Sequence, residues 1–112
     1  MMRFLLNVPL LLLAFALSSP LWAGEAFWID VRTAAEYNSE HVPGAVNIPY
    51  EEITSRIAEV TEDRSAQIFV YCRSGRRSGI AQTALANAGF SNVTNAGGLE
   101  EARKAASEMA VQ

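Results

Sequence analysis

The chain holds one cysteine, and its setting suits a nucleophile. Cys72 opens the run Cys72-Arg73-Ser74-Gly75-Arg76-Arg77-Ser78, directly after the apolar stretch of residues 67–71. A thiol at the end of a buried strand, followed by a short glycine-containing loop and then a helix, sits among backbone N–H groups and the positive end of that helix. Both favour the thiolate. Arg73, Arg76 and Arg77 add to the same field, so Arg73, Ser74, Gly75, Arg76, Arg77 and Ser78 form a candidate anion-binding loop around a catalytic Cys72. A lone cysteine closes no internal disulfide; it is inert and buried, paired with another molecule, or chemically used. The glycine, arginines and serines around it suit an inert core thiol poorly. One cysteine and one histidine are too few soft ligands for a typical structural zinc site, so no metal is expected.

The elements that must hold this loop follow from the apolar pattern. Residues 26–31 are apolar enough for a first buried strand. Asp30, near its end, is a candidate supporting residue together with Arg32, although an Asp there also serves to tether a turn or to pair with such an arginine. Thr33 and Glu36 have the spacing of a capping box and predict a short helix. Residues 46–48 predict a short strand stopped by Pro49, and Ile53, Ile57 and Val60 predict an amphipathic helix over 50–60. Strand 67–71 leads into the cysteine loop, Ser78 is placed to cap a helix over 79–88, and Gly89 ends it. Residues 92–95 predict a last strand and 99–109 a last helix. This alternation implies an α/β domain with a small parallel sheet and helices on both faces, whose ligands lie outside the carboxyl ends of the strands. Cys72 stands at such an end.

Residues 1–23 stand apart. Met1-Met2-Arg3 gives a positive start, residues 4–17 are largely apolar, and residues 18–23 read as a cleavage region. The apolar stretch contains Asn7 and Pro9 and is shorter than the about 20 residues of a spanning helix, so a secretory signal peptide cut after Ala23 is expected. That leaves one domain, residues 24–112, with no stable membrane span. With 12 acidic against 9 basic residues and a formal net charge of −3, the chain lacks the overall positive field of nucleic-acid binders.

Four segments together resemble the single-domain rhodaneses, sulfurtransferases that carry sulfur as a cysteine persulfide. They are Ile29-Asp30-Val31-Arg32; Glu40-His41-Val42-Pro43-Gly44-Ala45-Val46-Asn47-Ile48-Pro49; Val70-Tyr71-Cys72-Arg73-Ser74-Gly75-Arg76-Arg77-Ser78; and Asn95-Ala96-Gly97-Gly98-Leu99. With the signal peptide and small size, the chain most resembles the small periplasmic type. Leu99 stands where many relatives have Trp, as a core substitute or a change in the pocket wall. The resemblance implies a rhodanese-like fold and a thiosulfate sulfurtransferase working through a Cys72 persulfide, with cyanide or a thiol as acceptor and no cofactor. It implies a structural use for His41. The Cys-x4-Arg spacing of Cys72 and Arg77 is shorter than the Cys-x5-Arg loop of the resembling phosphatases, which favours sulfur transfer over phosphate-ester or arsenate chemistry. Arg77 either contacts the anion or holds the loop, and both roles stay open. A different reading of the same thiol is a persulfide carrier or redox-binding module with little turnover on small molecules.

Overall fold

The computed structural model describes residues 26–110, so the signal-peptide expectation for residues 1–23 lies outside the described residues. Four strands, β1 (Ala26–Asp30), β2 (Val46–Asn47), β3 (Gln67–Tyr71) and β4 (Val93–Asn95), form one sheet in the order β2-β1-β3-β4. All three pairings are parallel, with Asp30 beside Tyr71 in the central pair and Asp30 beside Asn47 at the edge. The helices are α1 (Ala34–Ser39), α2 (Ile53–Arg56), α3 (Arg76–Asn87) and α4 (Leu99–Ala110). The chain leaves β1 toward one edge and β3 toward the other, so a crevice opens beyond the carboxyl ends of β1 and β3. Asp30 and Tyr71 end those two strands, which puts Arg32 and Cys72 at the same crevice.

Strand alternation sorts the core into two layers. Ile29 and Val31 from the first strand and its exit, with Ile68 and Val70 of β3 and Cys72 just after it, face one way and pack with Ile53, Ile57, Ala81 and Leu85. Trp28 and Tyr71 face the other way and pack with Val42, Tyr37, Leu99 and Ala102. On that face the Trp28 and Phe69 rings stack with centroids 4.4 Å apart. Each fully buried Ile contributes roughly 1.5–3 kcal/mol of transfer free energy, and all the buried isoleucines among the described residues lie in the first layer. The Cys72 side chain therefore continues the Ile68 and Val70 row toward α3, and this parity alone aims the thiol at that helix's first turn.

Two local expectations are corrected. Residues 50–60 are not one helix but a 3-10 turn (Tyr50–Glu52), α2 and a second 3-10 turn (Ile57–Glu59). The backbone opens at Arg56 (φ −121°, ψ 0°), while Ile53 and Ile57 stay buried, so short turns serve the same apolar stripe. Helix α3 begins at Arg76 with Gly75 as its N-cap, ahead of the residue 79 start expected from Ser78. The capping box at α1 forms as expected, with Thr33 and Glu36 bonded reciprocally.

Candidate active site

Gly75 has φ +95°, a conformation that suits a residue without a Cβ, and it offers the helix no capping side chain. The sulfur of Cys72 takes that place. Sγ accepts the Gly75 N–H at 3.0 Å and the Ser78 N–H, at the third position of α3, at 3.4 Å, and lies 3.4 Å from the Ser78 hydroxyl. The N–H groups of Arg76 and Arg77, in the helix's first turn, have no partner among the described residues. Burial pushes the thiol up, but the Ser78 hydroxyl, the Ser78 N–H and the N–H groups of Ser74 and Gly75 outweigh it and bring it down to about 7. Cys72 is thus a fully buried thiol with a substantial thiolate fraction at neutral pH.

A second loop braces the first. The Gly97 carbonyl, between β4 and α4, accepts the Cys72 N–H at 3.0 Å. Gly98 lies so close to the Arg73 carbonyl that an added Cβ would stand 2.4 Å from its oxygen, and its N–H donates to Glu101 at 2.6 Å. Asn95 bonds the Gly75 carbonyl and the Ser78 hydroxyl. Neither Asn95 nor Gly98 was a candidate from the sequence; a polar residue at the carboxyl end of β4, beside the cysteine strand, was the available signal.

The arginines take three different places. Arg77 makes a two-pronged pair with Glu36 of α1 at 2.9 and 3.1 Å, tying the start of α3 to the first crossover. Arg73 is exposed and lines a cleft of about 340 Å³ with Arg32, Glu36, Ser39, Glu40 and Leu99. Arg76, at the helix's first position, is exposed and lines an open groove along the outside of α3 with Ile80 and Ala84. At 100° per residue it points away from the side Arg77 occupies, so an anion contact from its side chain is not what this geometry offers. Ser74 is exposed at the rim.

Arg77, followed by the Thr33 N–H, holds the Glu36 carboxyl at about 2, against an ordinary 4.5. Because the folded value lies below the unfolded one, this pair's stabilisation is complete above about pH 4.5 and is lost as pH falls toward 2. Glu36→Gln is expected to lower stability at pH 7 by about 1 kcal/mol and to flatten its decline below pH 4.5, as measured by urea unfolding across pH.

Asp30 and Arg32 are locked together. The buried Asp30 carboxylate accepts the Arg32 backbone N–H at 2.9 Å, Nε at 2.9 and 3.1 Å and Nη2 at 2.7 Å, and Arg32 reaches on to the Glu40 carbonyl at 2.7 Å. Removing one partner of such a buried pair costs about 3–5 kcal/mol, so their geometry holds the crevice wall. Tyr71 is fully buried, its hydroxyl accepting the Val42 N–H at 3.0 Å, and does not border the cleft. His41 stacks on Tyr37 and its Nδ1–H donates to the Tyr37 carbonyl at 2.8 Å. Leu99 both packs in the second core layer and lines the cleft beside Arg73.

The chain is similar to known sulfur-handling enzymes. The family model described as Rhodanese-like domain matches residues 14–105. The thiosulfate sulfurtransferase PspE of Escherichia coli (strain K12) is 47% identical over 92 residues, which cover 82% of this chain and 88% of that protein. The thiosulfate:glutathione sulfurtransferase of Saccharomyces cerevisiae is 31% identical over 77 residues, covering 59% of this chain and 55% of that protein. A solved structure described as a rhodanese with anions from E. coli superposes with a TM-score of 0.67 at 45% identity, covering 69% of this chain and 91% of that one.

Proposed function

The chain belongs to the rhodanese-like domain family, and on that premise we propose that it is an exported sulfurtransferase taking the outer sulfur of thiosulfate onto Cys72 and passing it to cyanide or a thiol. The observation that carries this reading is the sulfur at the head of α3, accepting N–H groups from Gly75 and Ser78. The Cys72 thiolate attacks the outer sulfur of thiosulfate, the S–S bond of thiosulfate breaks, and sulfite leaves with the electron pair, giving a Cys72 persulfide anion. An acceptor nucleophile then attacks the outer persulfide sulfur, forming thiocyanate from cyanide or a new persulfide from a thiol, and the Cys72 thiolate returns. Both exchanges balance with no metal or organic cofactor.

The unpartnered N–H groups of Arg76 and Arg77 are available to the persulfide's outer sulfur, in the manner of preorganised donors around a developing anion. Arg73 at the cleft is the cation placed to meet the donor's sulfonate end, while Arg77 holds the loop through Glu36. Asp30 and Arg32 brace the wall beside it. The names of the relatives, one a thiosulfate sulfurtransferase and one a thiosulfate:glutathione sulfurtransferase, support the donor and a thiol acceptor. The positive start, apolar stretch and cleavage region in residues 1–23 support export to the periplasm. The test is thiocyanate formation from thiosulfate and cyanide by the purified protein. Repeated turnover with parallel ping-pong lines supports the enzyme, whereas loading of one sulfur with slow release supports a carrier instead.

A further inference from the structure

Asn95 ends β4, and its side-chain amide touches three segments that shape the surroundings of Cys72. Nδ2 donates to the Gly75 carbonyl at 3.0 Å, while Oδ1 accepts the Gly97 N–H at 2.9 Å and the Ser78 hydroxyl at 2.7 Å. The amide's orientation is fixed by its partners, because a carbonyl only accepts and an N–H only donates. Oδ1 therefore faces Ser78, and the single hydroxyl proton of Ser78 lies on that bond. The Ser78 oxygen then presents a lone pair toward Cys72 Sγ, 3.4 Å away, so this arrangement is that of the protonated thiol, with S–H donating to Ser78. Once the sulfur loses its proton, the Ser78 O–H turns to it, and Oδ1 of Asn95 keeps the Gly97 N–H.

We infer that Asn95 is the positioning residue of the sulfur: by holding the Gly75 carbonyl and the Ser78 oxygen in register it keeps the backbone N–H donors of Gly75 and Ser78 on Cys72 and so sets the protonation of the thiol. This rests on the reading of Cys72 as a thiolate nucleophile. The Asn95 contacts span both ends of the loop from Gly75 to Ser78, and among the hydrogen bonds of the described residues only the sulfur of Cys72 itself does the same. The charged groups facing the loop are paired or remote from the sulfur's hydrogen bonds. Asp30 and Arg32 from β1 and its exit hold each other, Glu36 of α1 holds Arg77, Glu101 of α4 accepts the Gly98 N–H, and Arg73 lines the cleft. The neighbouring Tyr71 is buried and bonded to Val42. Arg77 also favours the thiolate through space, but the groups that hydrogen-bond the sulfur are neutral donors, which Asn95 aligns.

The test is the pH profile of alkylation by iodoacetamide, which reports Cys72 only, because the chain has no other cysteine. The natural protein is expected to alkylate half-maximally near pH 7. In Asn95→Leu the midpoint moves upward by about one pH unit, and sulfur loading from thiosulfate at pH 7 falls about fivefold with the thiolate fraction. Asn95→Asp keeps an acceptor for Ser78, loses the donor to Gly75 and adds a negative charge near the sulfur, so its midpoint moves further upward; it also serves if the Leu variant does not fold. Adding Ser78→Ala to Asn95→Leu raises the midpoint by less than the two separate shifts combined, because both act on the same hydroxyl. Variants that lose thermal stability while keeping the natural midpoint would overturn the inference, and so would a midpoint that falls, which would mean that Asn95 withholds the hydroxyl from the sulfur. Loading by sulfane donors is scored separately. A natural protein with a midpoint near 7 that no donor loads would refute the proposed function, whereas normal loading with unmoved midpoints would refute only the role of Asn95.

Discussion

Cys72→Ser is expected to fold and to lose sulfur transfer completely. The serine oxygen accepts the same Gly75 and Ser78 N–H groups that the sulfur accepts, so its burial leaves no polar group unpaired and stability stays within about 1 kcal/mol of the natural chain. Catalysis has no such substitute. A hydroxyl in this cradle is not ionised near neutral pH, and an oxygen cannot carry sulfane sulfur as a persulfide; with no other cysteine in the chain, no second thiol can take over. Thiocyanate formation and thermal unfolding measured on the same preparation check both halves. Turnover retained by a folded Cys72→Ser protein would contradict the proposed mechanism.

Gly98→Ala is expected to be the most damaging conservative change outside the cysteine loop. The new Cβ would stand 2.4 Å from the Arg73 carbonyl oxygen and 3.2 Å from its carbon, and both are backbone atoms with no rotamer to swing away. Either the loop after Cys72 or the turn before α4 must shift, and the two are joined by the bond from the Cys72 N–H to the Gly97 carbonyl. Overpacking of this kind costs about 1–3 kcal/mol, and the displaced loop no longer aims its donors at the sulfur. Urea unfolding should therefore show the loss of stability, and loading by thiosulfate under conditions where the variant is fully folded should fall beyond what stability explains. Gly44→Ala is the matched control. Its φ of +86° makes alanine strained there, but nothing lies within 4 Å of the added Cβ, so it should destabilise without slowing loading.

What the sequence made legible is local, and what it hid is contact between distant segments. Strand runs such as residues 67–71 are apolar and bounded by polar connections, so the sheet and its alternation with helices could be read directly, as could the Thr33 and Glu36 capping box. The start of α3 could not. Ser78 has the chemistry of a cap, but a thiol at the end of β3 fills that position for a helix that begins at Arg76, and propensities contain no such cap. The spacing of Ile53, Ile57 and Val60 fits one continuous helix as well as the broken set of turns observed, because both bury the same isoleucines. Arg77 shows the limit most clearly, since the choice between anion contact and structural pairing depends on Glu36, which lies 41 residues away in sequence. Asn95 was visible only as part of a motif; its three bonds to the cysteine and Gly97 loops exist only once β4 lies beside β3.

The most direct test of sulfur carriage by Cys72 is the intact mass of the purified, reduced protein before and after thiosulfate, followed by cyanide on the same sample. The mechanism predicts a gain of one sulfur atom that cyanide then removes, returning the starting mass; cyanide separates a persulfide from an oxidised thiol of similar mass. No gain of sulfur, or a gain that cyanide leaves in place, would contradict the assignment of Cys72 as the sulfur-carrying nucleophile.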